Sequence, residues 1–372
     1  MKIRLLKAVL VLTLSLVVLF FLFVFGREIY ESIPTGFEKR VAEGPHVFLS
    51  LLEDGKYTKG LNSDPYISSA YRPEDKLYEP ILAVQQGRWD DAQELLEPLV
   101  VAGDTTAMFW LAEINYSTGA FSGTYGATLF KKAAKLGNPY AALKLDSNNK
   151  ECQRFMGRHC SKEWGDLAEK LLEERVANGD YKARYALSLY RGRKTEKDYD
   201  EAAEIAIESA KNNYLAPLVS IALWHRDVND KEVMEIEKEI LKLILSNHYP
   251  PALTILHYSE YDFSQAFKES IYETYPLIVG HGDFLIREYY GSEYQGDRDV
   301  LLFSLAVSML SNTYKNEHGG GLRLWEFERK YLGRGNSFTK EELDKANMIF
   351  EKVKKESTPV IYIDEIEPRK YL

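Results

Sequence analysis

The chain holds little of what catalytic sites and nucleic-acid binders are built from. Of 372 residues only two are cysteine and seven histidine. The histidines (His46, His159, His225, His248, His257, His281 and His318) are scattered, and no His-Glu-x-x-His pair occurs, so a zinc-peptidase helix is absent. A structural zinc site takes four ligands in paired spacing, and two cysteines do not supply that. No Gly-x-Ser-x-Gly elbow exists; Gly119-Ala-Phe-Ser122-Gly123 has the wrong spacing. His318-Gly-Gly-Gly321 therefore reads as an inter-helix loop, although an oxyanion turn has the same composition. Phosphate loops and dinucleotide fingerprints are missing as well. A basic excess is also lacking: the net charge is −9. Lys2, Arg4 and Lys7 are the only charges in the first 26 residues, so the remainder carries −12. That excludes a nucleic-acid binder, which needs a basic face. No enzyme, cofactor or metal is implied.

What is present begins with one long apolar run. Residues 8–26 carry no charge and are rich in Leu, Val and Phe. As a helix they would span roughly 28 Å, about one bilayer core. The preceding basic residues predict a cytoplasmic N-terminus (residues 1–7), with the rest of the chain translocated. A cleaved signal peptide is the rival reading, with Val24-Phe25-Gly26 as a weak cleavage site. Secretory apolar stretches are ~7–15 residues long, so the run is read as a retained single-pass anchor. In a bacterium this places the rest of the chain in the periplasm, on the inner membrane.

The second feature is a period. Gly103, Gly137 and Gly179 each stand eight residues before a leucine: Leu111, Leu145 and Leu187. These leucines are 34 and 42 residues apart. The register extends to Leu77, Ile221, Leu256, Tyr290 and Leu324, with eight-residue marks at Ser69, Asn213, His248, Gly282 and Asn316. Gly and Asn tolerate the left-handed turn that ends a helix, so each mark is expected to close one helix before the next begins. Eleven residues before the marks runs a line of small residues, Ala92, Gly126, Ala168 and Ala202, which degrades to Glu237 and Ile271. Small residues there allow close helix approach. The expected fold is all-α: a right-handed solenoid of about eight helix-turn-helix repeats over residues 73–356, after one transmembrane helix.

One stretch carries a specific resemblance. Gly126-Ala-Thr-Leu129-Phe130-Lys-Lys132-Ala133-Ala134-Lys-Leu-Gly137-Asn-Pro-Tyr-Ala141 resembles the Sel-one-like repeat, a relative of the tetratricopeptide repeat. Lys132, Ala133, Ala134, Gly137 and Ala141 match its pattern; Leu129 and Phe130 replace its Trp-Tyr pair. Arg193 to Ala202 resembles the family's loop into a second helix, and Phe338 to Ala346 a closing helix with a Thr339–Glu342 capping box. The resemblance implies that the first helix of each hairpin lines a groove that docks a protein or peptide. On that basis the partner-binding residues are Tyr116, Tyr185, Arg226, Tyr258, Tyr261 and Glu288. The alternative occupant is a glycan stacked on the same aromatics, and the bland reading is that those aromatics are core.

The remaining segments have narrower readings. The 42-residue step is one period plus eight residues, which equals the Cys152 to Cys160 spacing. A disulfide closing this insertion (residues 148–162) suits an oxidising compartment. Two unpaired thiols are the alternative, and a metal held by Cys152, His159 and Cys160 lacks a fourth ligand. Residues 27–72, punctuated by Gly and Pro, read as a spacer. Residues 357–372 read as a tail whose Val360-Ile-Tyr-Ile363 run forms a short strand or packs on the last hairpin. Together these predict a membrane-anchored envelope scaffold or adaptor.

Overall fold

A computed structural model describes residues 61–116, 123–192, 195–222, 231–253, 298–314, 324–356 and 358–366, with 255, 264, 270, 271 and 368. The apolar run 8–26 and residues 27–60 lie outside these. Among the described residues, no helix is long and apolar enough to cross a membrane. The fold is all-helical, with a lone bridge between Asp146 and Ser161 and no strand among the described residues. Numbered among the described residues, the helices start with α1 (Tyr78–Gln85), α2 (Trp89–Val101), α3 (Thr105–Asn115), α4 (Gly123–Lys135) and α5 (Pro139–Lys144). After these come α6 (Lys150–Phe155), α7 (Lys162–Ala177), α8 (Tyr181–Arg191), α9 (Glu196–Lys211), α10 (Ala216–Ala222) and α11 (Lys231–Ser246). Last are α12 (Arg298–Tyr314), α13 (Leu324–Tyr331) and α14 (Lys340–Glu356).

The periodic marks are helix stops of one geometry. Gly103, Gly137, Gly179, Asn213 and His248 have φ of 90°, 92°, 83°, 65° and 57°. Asn213 and His248 are the only non-glycine residues with positive φ among those described. At each mark the amide donates to the carbonyl three residues back, and the next amide donates to one five back: Gly103 N to Val100 O (3.1 Å) and Asp104 N to Leu99 O (3.0 Å) in the first case. This is the Schellman arrangement, which satisfies carbonyls that a helix end would otherwise leave bare. The residue after the mark then starts the next helix. Asp104, Asn138 and Asp180 accept amides of α3, α5 and α8 as N-caps.

Each helix from α1 to α5 packs on its neighbour in the chain; α7 then packs on α5, and the series continues to α11. The first helices of the hairpins (A helices) are α1, α3, α5, α8 and α10. The second helices (B helices) are α2, α4, α7, α9 and α11, and they carry the small-residue line. Ala92, Gly126, Ala168 and Ala202 are buried there, and so is Glu237; Ile271, further along the chain, is buried as well. At Gly126 the closeness is quantitative: a Cβ would stand 2.6 Å from Tyr116 Cβ and 3.0 Å from its Cα.

The register stops holding near the C-terminal end. Leu324 begins α13 and is 40 % exposed, where a repeat position is buried. Here α12 packs chiefly on α14, passing over α13 in sequence. Arg298 of α12 forms two bonds with Glu342 of α14, at 2.6 and 2.8 Å. Glu342 also closes the capping box with Thr339. The Arg298 guanidinium, then the Thr339 amide, hold the Glu342 carboxyl down at about 2. Of the remaining register positions, Leu256 and Tyr290 lie outside the described residues.

Cys152 and Cys160 are joined by a disulfide that closes the insertion carrying α6 and the 3-10 turn Gly157–His159. Backbone bonds close the same loop: Ser147 N to Ser161 O (3.3 Å) and Ser161 N to Leu145 O (3.1 Å).

Candidate functional site

The residues read as groove contacts have three fates. Arg226, Tyr258, Tyr261 and Glu288 lie outside the described residues. Tyr116 is a packing residue, 1 % exposed, with its ring against Phe130 and Phe155 and its hydroxyl on Glu151 at 2.7 Å. Close approach by Gly126 explains why: a Tyr at this position is covered by the next B helix. Beside it, Glu113 is buried and meets Lys144 at 3.1 Å. Tyr185 is also covered, at 2 % exposure, beside the Tyr214 ring and the Ser220 hydroxyl.

The chain's own C-terminal segment passes nearby: Tyr362, Asp364 and Ile366 line a small hollow together with Tyr185. Residues 358–366 form neither helix nor strand; their polar contacts fall on Tyr78 and Gln85 of α1, Lys182 of α8 and Tyr214. Val360, Ile361 and Ile363 are buried, Ile361 and Ile363 completely. The last hairpin is the support expected for this run. Instead Ile361 and Ile363 join the core built by residues 77–187, at the opposite end of the array. Burying two isoleucines in this way contributes about 1.5–3 kcal/mol each.

Side chains of the array read the segment's backbone. Gln85, near the end of α1, does most of this. Its Nε2 donates to Val360 O at 2.9 Å, and its Oε1 accepts from Tyr362 N at 2.8 Å and Ile363 N at 3.4 Å. Tyr78 donates its hydroxyl to Pro359 O at 2.7 Å. Ser69 Oγ accepts from Ile361 N at 3.0 Å, and Ala70 N donates to Ile361 O at 2.8 Å.

Beyond Ile363 the segment turns acidic and meets polar partners. Asp364 accepts from the Tyr214 hydroxyl at 2.7 Å. Glu365 pairs with Lys182, the second residue of α8, and accepts from Tyr71 at 2.8 Å. Trp110 Nε1 donates to Tyr71 at 3.3 Å, so the acid sits on a relay into α3. Burial alone would raise the Glu365 carboxyl; the Lys182 charge and the bonds from Lys182 and Tyr71 hold it below its ordinary value. Burial would lower Lys182, and the Glu365 and Asp364 charges hold it well above. Tyr71 and Tyr214 are pushed up, by burial first and then by the adjacent carboxylates. All four shifts favour the same arrangement, with Glu365 and Lys182 charged and the two phenols neutral.

Residues 61–72, read as spacer, pack beside the tail rather than standing off from the helices. Asn62 N donates to Ser246 O at 2.7 Å, and Ser68 Oγ donates to His248 O at 3.0 Å. His248 Nε2 lies 2.7 Å from the Asn62 carbonyl, an acceptor only, so this nitrogen carries the proton. The N-terminal segment thus clasps the turn at His248 and then meets the tail at Ser69 to Tyr71.

Beside the tail, Tyr185, Tyr214, Tyr249, Tyr362 and Asp364 line a small hollow. Tyr185 donates to, or accepts from, Ser220 Oγ at 3.0 Å, and its ring stands edge-on to Tyr214. No group of three or more His, Cys, Asp or Glu able to hold a metal occurs among the described residues. Comparison with family models, curated proteins and solved structures finds no match. The site's meaning therefore rests on its geometry.

Proposed function

We propose that the protein is an envelope adaptor that holds a peptide segment on its A-helix face. In this reading the helical hairpins form a right-handed solenoid of the Sel-one-like type. Residues 8–26 anchor it in the inner membrane, with the repeats in the periplasm. Its role is binding rather than catalysis, and its ligand is a protein or peptide docked in the groove of the A helices. Tethering at a membrane raises local concentration, so a weak groove suffices.

One observation carries the reading. The A-helix face already holds a non-helical segment by side-chain bonds to backbone amides and carbonyls, through Gln85, Ser69 and Tyr78. Val360, Ile361 and Ile363 are buried along it, so side-chain burial adds to the backbone bonds. The shared geometry of the five helix stops supports a repetitive array. The glycan alternative needs open aromatic faces; Tyr116 and Tyr185 are buried, which weakens it. The test is crosslinking of the wild-type chain in intact cells, with the surroundings of Tyr258 and Tyr261 as the expected point of capture. A protein captured at these positions, and lost when both tyrosines are replaced by alanine, supports the adaptor. Saturable binding to purified glycan with no captured protein would replace it with the alternative.

A further inference from the structure

We infer that the A-helix face is a peptide site with a defined preference: a segment of the pattern apolar, aromatic, apolar, acid, acid, supplied by another protein. Residues 361–365 of this chain, Ile-Tyr-Ile-Asp-Glu, are its resident occupant. The inference rests on the adaptor reading and names its ligand and its regulation.

Three features define the preference. Gln85 and Ser69 bind main-chain atoms only, so they accept any residue that takes the same backbone path. Apolar side chains are selected: Val360, Ile361 and Ile363 are buried, and Tyr362 between them is partly buried against apolar residues. A buried apolar socket rejects polar side chains, because their hydrogen bonds to water are lost without replacement. The acids are then selected by charge. Lys182 sits where Glu365 arrives, and the Tyr214 hydroxyl where Asp364 arrives. A peptide with a neutral side chain in place of Glu365 would leave Lys182 covered and unpaired, a costly arrangement.

The segment belongs to no helix or sheet. It is joined covalently only through α14, and the contacts above hold it in place. Because it is attached in cis, its effective concentration is high, and an outside peptide competes only when it binds tightly or when the segment is loosened. The resident segment therefore acts as a threshold on partner binding.

The experiment keeps the whole chain. A protease sequence is inserted after Ser357, the folded protein is cut, and a fluorescent peptide with the sequence of residues 358–368 is titrated in by anisotropy. Saturable binding is expected to the cut protein, at least tenfold weaker binding to the uncut protein, and at least tenfold loss for peptides carrying I363A or E365Q. Uncut protein carrying I363A should bind the unmodified peptide better than uncut wild type does. Two results overturn the inference: a cut protein that keeps its helical circular dichroism and binds no peptide, or equal binding of the E365Q peptide. Loss of helical signal on cutting also overturns it, since the segment is then a structural strap only. Peptide binding without any crosslinked partner in cells would sink the adaptor reading and leave the site standing. Partner capture indifferent to added peptide would do the reverse.

Discussion

Lys182 and Glu365 form an ion pair across 183 residues of chain, with the lysine side chain 25 % exposed and the glutamate 6 %. The pair fixes the C-terminal segment to the first turn of α8. Breaking it by Glu365→Gln should cost about 3 kcal/mol, the low end for removing one partner of a buried pair, since Lys182 keeps some water. Replacing both residues by methionine should recover most of that loss. Denaturant midpoints of the two single variants and the double variant measure the coupling; additive losses would show that the pair contributes nothing of its own.

The same pair sets a pH dependence. Glu365 is lowered when folded, so its contribution is complete above the ordinary carboxyl value of 4.5 and is lost as pH falls through the lowered value. Lys182 is raised, so its contribution is complete below 10.5 and is lost as pH rises through the raised value. Stability attributable to the pair should be flat between these limits. Thermal melts of wild type and E365Q from pH 3 to 7 should converge as pH falls; parallel curves throughout would contradict the assignment.

Glycines at two kinds of position should respond differently to alanine. Gly137 has φ of 92° and open space within 4 Å of where a Cβ would stand, so Gly137→Ala carries backbone strain alone, about 1–2 kcal/mol. Gly126 lies in a helix, where alanine is normally favoured, yet its Cβ would meet Tyr116 at 2.6 Å. Gly126→Ala should cost about 2 kcal/mol by forcing α3 and α4 apart. Near-ultraviolet circular dichroism separates the mechanisms: it should change for the Gly126 variant and stay unchanged for the Gly137 variant.

Reduction of Cys152–Cys160 should lower stability by about 2–3 kcal/mol, the loop-closure figure for a short loop. The insertion should stay folded, because the Ser161 and Leu145 backbone bond closes it independently at 3.1 Å. Denaturation with and without reductant measures the difference, and unchanged midpoints would mean the disulfide constrains nothing.

The helix stops are legible in the sequence because their cause is local. A left-handed residue at the mark demands Gly or Asn, and the capping residue after it demands Asp or Asn, so Gly103-Asp104, Gly137-Asn138 and Gly179-Asp180 announce themselves. His248 is the harder case, since only the period points to it; its left-handed backbone is held by the N-terminal segment at Asn62 and Ser68. The small-residue line is legible for a similar reason, because close helix approach excludes bulk.

The site is far less legible. Tyr116 and Tyr185 are both buried, and nothing local tells that one packs against Phe130 and Phe155 and the other against Tyr214 beside the distant tail. Val360 to Ile363 read as apolar and β-prone, but the residue that reads its backbone is Gln85, 275 residues from Val360. A lone glutamine carries no sequence signal for such a role. Glu365 and Lys182 are likewise ordinary charges until the fold brings them together. The one available hint is the Asp-Glu pair that directly follows the continuous apolar run Val360 to Ile363.

The most direct measurement is amide hydrogen exchange of residues 360–365 in the intact protein. The amides of Ile361, Tyr362 and Ile363 are bonded to Ser69 and Gln85 inside the array. They should exchange as slowly as those of α3 in the same core, and Gln85→Ala should accelerate them at least tenfold. Exchange at the rate of a free peptide would show that the segment does not occupy the A-helix face, and the peptide-holding role of that face would fall with it.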